Sequence, residues 1–174
     1  MKKAVFLDRD GVLNKTIFRF GKPRAPYTLE EFELLPGVKE GTEILLKHGF
    51  LLIVVTNQPD VARGWVSRDA VDEVNKKLRE LLQVHDLKAC FHTDDDNCNC
   101  RKPQPGMLVE AAREWSVDLK KSFMVGDRIS DVEAGKAAGC RTILIDDESE
   151  KDSLLPDYRA SGLLEASQLI VTFI

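Results

Sequence analysis

Ala4-Val5-Phe6-Leu7-Asp8-Arg9-Asp10-Gly11 opens the chain with an unbroken apolar run that stops on two acidic residues and a glycine. Four consecutive apolar residues without polar alternation describe a strand buried on both faces, as in a parallel sheet covered by helices. The acidic pair then falls just past the strand's carboxyl end. The same design recurs along the chain. Residues 50–55 lead into Thr56-Asn57, residues 89–91 into a loop that reaches Lys102, and residues 123–125 into Gly126-Asp127-Arg128-Ile129-Ser130-Asp131. Residues 142–145 form a fifth apolar run.

Helical segments separate these runs. Residues 38–47 form the first, with Gly49 placed to end it. Ser67 can cap a second, in which Val71, Val74, Leu78 and Leu81 recur at helical spacing. A third covers about residues 106–115 and a fourth about 130–138, with Gly139 as its stop. Repeated strand-helix units with right-handed crossovers give an α/β fold, doubly wound around a mainly parallel sheet. Only residues 14–33 lie between the acidic pair and the first helix to cover the site, and 56–102 holds one helix and one strand, so neither makes a cap domain; one domain over residues 1–174 is expected, with an open site. Residues 163–174 read equally as strand or helix.

The 174 residues carry a net charge of -4, with Lys and Arg dispersed along the chain. That length suits one compact domain, and a monomer is expected. The charge pattern offers no footprint for a nucleic-acid backbone, and no aromatic and basic track favours a polynucleotide 3'-phosphatase. The run at 4–7 is too short for a signal-peptide core or a membrane span, which points to a cytoplasmic protein with no membrane partner.

In doubly wound sheets, ligands sit beyond the carboxyl ends of the strands. Everything gathered there suits phosphoryl transfer. Asp8 can attack phosphorus and split a slow hydrolysis into two easier displacements through an aspartyl-phosphate. Asp8, the main-chain carbonyl of Asp10 and Asp127 offer hard oxygen ligands to Mg²⁺. Lys102 adds a cation, and the Thr56 hydroxyl can hold phosphate oxygens. Asp10 is left to protonate the leaving group and then to activate water. Asp131 is expected to orient Lys102 or a metal-bound water. A zinc-stabilised binding protein without catalysis would need none of this set.

A second constellation is Cys90, His92, Cys98 and Cys100, a Cys₃His set suited to tetrahedral Zn²⁺. Four protein ligands would close the shell, so this zinc is expected to be structural and to pin the loop that carries Arg101 and Lys102. His85 is a weaker alternative ligand, His48 a solvated residue and Cys140 a small buried hydrophobe. Around the site, Asn57, Arg63, Arg101 and Arg128 are expected to touch substrate. The three arginines suggest a second anionic group, which matches the fork of guanidinium.

Taken in order, Asp8-Arg9-Asp10-Gly11, Thr56-Asn57, Lys102 and Gly126-Asp127 resemble the four signature motifs of haloacid dehalogenase superfamily phosphatases. The narrower matches, Val55-Thr56-Asn57-Gln58, Ala62-Arg63-Gly64 and 100–107, resemble the branch that holds heptose bisphosphate and histidinol-phosphate phosphatases. The resemblance runs to Ile145. It implies Mg²⁺-dependent removal of the C7 phosphate from a heptose 1,7-bisphosphate, a small phosphorylated sugar used for lipopolysaccharide or other surface glycans, with histidinol phosphate as the alternative substrate. Pro59-Asp60 replaces that family's usual Ser-Gly pair, and the spacer between His92 and Cys98 is short. Both changes touch loops expected to set specificity.

Overall fold

A computed structural model describes residues 1–145 and 156–173. In chain order these form β1 (Ala4–Leu7), β2 (Ile17–Arg19), β3 (Lys22–Arg24), α1 (Val38–Lys47), β4 (Leu51–Asn57), α2 (Arg68–Leu82), β5 (Asp86–Cys90), α3 (Gly106–Trp115), β6 (Phe123–Gly126), α4 (Ile129–Ala138), β7 (Arg141–Ile145), β8 (Tyr158–Ala160) and α5 (Leu163–Val171). The main sheet runs β5-β4-β1-β6-β7-β8, and each of its neighbouring pairs is parallel. After β1 the chain builds outward to β4 and β5, then returns to add β6 and β7 on the other side. The crevice at this reversal lies beyond the ends of β4, β1 and β6, the strands that carry the acidic and hydroxyl motifs.

Register fixes the level of the site. Leu7 lies opposite both Val54 and Val125. The next row along the three strands is therefore Asp8, Val55 and Gly126, and Asp8 N–H donates to Val125 O at 2.9 Å.

The pleat divides the core between the two faces of the sheet. Val5 and Leu7 pack with Leu45, Leu78 and Leu163 from α1, α2 and α5. Ala4 and Phe6 pack with Met107, Leu108 and Ala134 from α3 and α4. All four residues of β1 are buried, the physical reason for its unbroken apolar sequence.

Three details differ from the sequence expectation. Leu82, not Leu81, continues the buried stripe of α2: Leu82 is buried and Leu81 is 37% exposed. Strand β5 starts three residues early, because an edge strand tolerates polar side chains. Its Lys88 forms ion pairs with Glu110 and Glu114, and its Asp86 accepts from Trp115 Nε1 at 3.0 Å. The C-terminal segment contributes helix α5, packed against α1, and is preceded by the added edge strand β8. Asp157 fastens that edge by accepting from both the N–H and the hydroxyl of Thr142, at 2.7 and 2.9 Å.

Among the described residues, the segments between β1 and α1 and between β4 and α2 place only the antiparallel β2–β3 hairpin and loops near the motif end of the sheet. No helix among them is long and apolar enough to cross a membrane.

Candidate active site

Asp8 and Lys102 meet in the floor of the crevice. Lys102 Nζ donates to Asp8 Oδ1 at 2.7 Å and to Val55 O at 2.9 Å, and lies 2.6 Å from Asp131 Oδ1. The lysine is 4% exposed, so its ammonium depends on these partners for the solvation that burial removes. Burial alone would lower its pKa, but Asp131 and Asp8 outweigh that and raise it. Of the two uses expected for Asp131, the contact with Lys102 is present. The second oxygen of Asp131 accepts from Arg128 N–H at 3.1 Å, at the start of α4.

Asn57 holds the lysine from behind. Its Nδ2 donates to Lys102 O and its Oδ1 accepts from Lys102 N–H, each at 3.0 Å. The amide expected to touch substrate thus positions Lys102 while also lining the cleft. Thr56 is buried beside it, with its hydroxyl accepting from Gln58 Nε2 at 2.8 Å.

Asp127 joins Asp8 and Asp131 in a cluster whose ligand oxygens all lie within 4.8 Å of one another. Gly11 makes the approach feasible: a Cβ there would sit 2.1 Å from Asp127 Oδ2, and its φ of +93° favours glycine. Burial and the neighbouring Asp131 push the Asp127 carboxyl up to about 6. Burial, opposed by Lys102, raises Asp8 well above the usual carboxylate range. Three carboxylates against one ammonium leave a formal deficit of two positive charges when all are ionised. Asp127 Oδ1 is buried without a hydrogen-bond partner. An orphaned hard oxygen in a cluster short of two charges fits a divalent cation.

Asp10 is held by a network the sequence did not reveal. Arg9 is fully buried, and its guanidinium reaches both Asp10 oxygens at 3.1 Å while Nη1 donates to Asn75 Oδ1 at 2.6 Å on α2. Asn14 Nδ2 donates to Asp10 Oδ1 at 2.9 Å and Gln58 Nε2 to Oδ2 at 2.7 Å. Gln58 therefore links Asp10 to Thr56. The one available signal was the position of Arg9, a charged residue between two site acids at the end of a buried strand.

The Cys₃His set converges next to this floor. The ligand atoms of Cys90, His92, Cys98 and Cys100 lie within 4.8 Å of one another, with sulfur separations of 2.9, 3.4 and 3.7 Å. Tetrahedral zinc thiolates at ~2.3 Å from the metal place sulfurs ~3.8 Å apart; the donor set fits Zn²⁺ and the Cys90–Cys98 separation matches that value, while Cys100 lies closer to both than a bound ion would hold it. The short spacer closes because Thr93 caps a turn at Asp94–Asp96 and Asn97, at φ 48°, reverses the chain. The loop docks on α3 at Gly106, where a Cβ would fall 2.1 Å from Asn99 O. Arg101 N–H donates to Cys98 Sγ at 3.4 Å, directly before Lys102.

His85 stands apart from that cluster, with Nδ1 accepting from Leu52 N–H at 3.1 Å. His48 is exposed at the end of α1. Cys140 is buried, and burial pushes its thiol up to about 12.

The rim is only partly as expected. Arg101 and Arg128 line the cleft, and Arg101 Nε binds Asp94 Oδ1 at 2.6 Å. Arg63 does not line it; its guanidinium donates to Asp60 Oδ1 at 2.7 Å. Arg24, unnoticed in the sequence, lines it instead. Its position depends on a hairpin whose short polar strands carry no apolar periodicity.

A parallel sheet with a lysine-bridged aspartate pair at its reversal point, and without a cap among the described residues, defines a phosphatase of the haloacid dehalogenase type. The HAD-hydrolase-like family model matches residues 99–166. The chain is 38% identical over 157 residues to a D-glycero-beta-D-manno-heptose-1,7-bisphosphate 7-phosphatase of Pasteurella multocida, covering 83% of this chain and 82% of that protein. It is 34% identical to a D-glycero-alpha-D-manno-heptose-1,7-bisphosphate 7-phosphatase of Campylobacter jejuni, covering 86% of each. A crystal structure of the D,D-heptose 1,7-bisphosphate phosphatase from B. bronchiseptica, complexed with magnesium and phosphate, superposes with a TM-score of 0.84 at 26% identity over 99% of both chains. The chain belongs to the haloacid dehalogenase superfamily and, within it, to the D-glycero-D-manno-heptose-1,7-bisphosphate 7-phosphatase family.

Proposed function

We propose that this chain, as one monomeric domain in the cytoplasm, removes the C7 phosphate of D-glycero-D-manno-heptose 1,7-bisphosphate in the supply of activated heptose for lipopolysaccharide or other surface glycans. The observation that carries this reading is the buried Lys102 ammonium shared by Asp8 and Asp131 beside the unpartnered oxygen of Asp127. The similarity to relatives that act on this sugar supports the substrate.

Asp8, Asp127 and the main-chain carbonyl of Asp10 would hold Mg²⁺. Bound there, the ion would offset the burial that disfavours ionised Asp8 and Asp127 and neutralise the substrate phosphate. Asp8 attacks phosphorus and takes the phosphoryl group, while the sugar oxygen leaves with a proton from Asp10. Arg9, Asn14 and Gln58 hold the Asp10 carboxyl in place for that transfer. Asp10 then removes a proton from water, whose oxygen attacks the phosphorus held on Asp8, breaks the bond from phosphorus to the Asp8 oxygen and releases inorganic phosphate with Asp8 regenerated. Lys102 and the Thr56 hydroxyl balance charge on the phosphoryl oxygens. Asn57, Asp131 and the Cys90–His92–Cys98–Cys100 site, read as structural Zn²⁺, keep Lys102 in place. Arg101 and Arg128 face the sugar end.

Phosphate release from both anomers of heptose 1,7-bisphosphate, other phosphosugars and histidinol phosphate tests the assignment. The heptose bisphosphate is expected to lead histidinol phosphate in kcat/KM by at least about tenfold. Equal or better turnover of histidinol phosphate would move the assignment to that substrate.

A further inference from the structure

The β2–β3 hairpin lies outside the main sheet, yet Pro23, Arg24 and Ala25 form one wall of the cleft. Arg101 and Arg128 line the same cleft, above the floor formed by Asp8 and Lys102. Asp60, only 5% exposed, fastens the hairpin wall. Its Oδ1 accepts from Arg24 Nη1 at 2.9 Å and from Arg63 Nη1 at 2.7 Å, and its Oδ2 accepts from the Tyr27 hydroxyl at 2.8 Å. Burial and the Asp60 carboxylate push the Tyr27 phenol up to about 12, so it stays a donor at neutral pH.

Ring contacts complete the clasp. Phe20 and Trp65 have centroids 5.0 Å apart, and the Arg24 guanidinium lies 4.6 Å from the Trp65 centroid. Arg24 is thus held in one orientation before any ligand arrives, which lowers the entropic cost of using it. Two guanidiniums share one carboxylate, so this wall keeps a net positive charge. Arg24 Nε is also buried without a hydrogen-bond partner.

An oriented guanidinium that lines the cleft on a positive wall suits an anionic oxygen. We infer that Arg24, held by Asp60, is a specificity-determining residue that binds an anionic group at the end of the substrate remote from the scissile phosphate. This rests on the proposed phosphatase reading, which places the reacting phosphate at Asp8. In the heptose substrate the remote anion is the C1 phosphate. Asp60 acts through Arg24 and is a positioning residue.

The test compares kcat/KM for heptose 1,7-bisphosphate with that for heptose 7-phosphate, in the wild type and in Arg24→Gln, Arg24→Lys and Asp60→Asn. Arg24→Gln should lower the ratio about tenfold, mainly through KM of the bisphosphate. Arg24→Lys should recover part of the loss, and Asp60→Asn should fall between. A drop of less than roughly threefold in Arg24→Gln, or a wild type with no preference for the bisphosphate, would overturn the inference. Fructose 1,6-bisphosphate and fructose 6-phosphate, assayed in parallel, separate the two claims. If the wild type ignores heptose but prefers the doubly phosphorylated fructose through Arg24, the heptose assignment fails while the role of Arg24 stands. Should Arg24→Gln lower the melting temperature into the assay range, Tyr27→Phe removes a single clasp hydroxyl and should shift the same ratio in the same direction.

Discussion

Lys102 Nζ rests 2.7 Å from Asp8 Oδ1, although the two residues stand 94 positions apart in the chain. The contact joins the end of β1 to the loop beyond β5 across the intervening strand β4, and Asn57 at the end of β4 grips the lysine's main chain. Asp8→Asn removes the attacking anion, so turnover should fall at least about 10³-fold. Lys102→Met leaves Asp8 and Asp131 without their shared cation and should slow the reaction by a similar order. Steady-state phosphate release measures both, and an Asp8→Asn protein with a tenth of wild-type activity would defeat the covalent route.

Arg9 should act on rate through Asp10. Arg9→Lys keeps the charge but loses the fork that reaches both Asp10 oxygens and Asn75. Its kcat/KM should drop about tenfold for an alkyl phosphate, whose leaving oxygen needs a proton, and much less for an activated aryl phosphate. An aryl phosphate series of graded leaving-group acidity reads this as a steeper dependence. A uniform loss across the series would assign Arg9 to folding alone. Arg9→Met should also lower the melting temperature, because it removes the guanidinium paired with Asp10 and leaves only Asn14 and Gln58 donating to that carboxylate.

Purified protein should carry about one zinc per chain at the Cys₃His site. Cys98→Ser should reduce zinc content and melting temperature together, and activity should follow through the loop before Lys102. Elemental analysis of protein prepared without chelators decides the point, and the absence of zinc there would remove this role.

Magnesium should stabilise the fold more at pH 7.5 than at pH 5. The Asp127 carboxyl, raised from 3.8 to about 6 by burial and Asp131, favours its protonated form in the metal-free fold. The stability it contributes is present below the unfolded value and is lost as pH rises through about 6. Above that pH, added Mg²⁺ should restore it, and below it protons compete with the ion. Melting temperatures with Mg²⁺ and with a chelator at the two pH values give the comparison. A larger magnesium shift at pH 5 would contradict the assignment of Asp127 as a ligand.

Sequence legibility followed burial. Strand β1 and helices α1 and α3 were readable to the residue, because strands buried on both faces leave apolar runs and helices at their sides leave a stripe. Strand β5 was misplaced because an edge strand mixes Asp86 and Lys88 with apolar residues. The hairpin was invisible because Phe18 and Phe20 are exposed, Pro23 interrupts any strand pattern, and its anchor Asp60 lies far along the chain. In the site, acids and lysine announced themselves by position after strands. The Arg9–Asp10–Gln58 network did not, because its meaning arises only when β1, β4 and α2 meet.

The most direct test of the whole account is phosphorus NMR of heptose 1,7-bisphosphate during turnover with Mg²⁺ present. The C7 monoester signal should disappear as inorganic phosphate grows, with the C1 phosphate retained and Asp8→Asn inert. Loss of the C1 signal instead, or no phosphate release by an enzyme that still hydrolyses other monoesters, would contradict it.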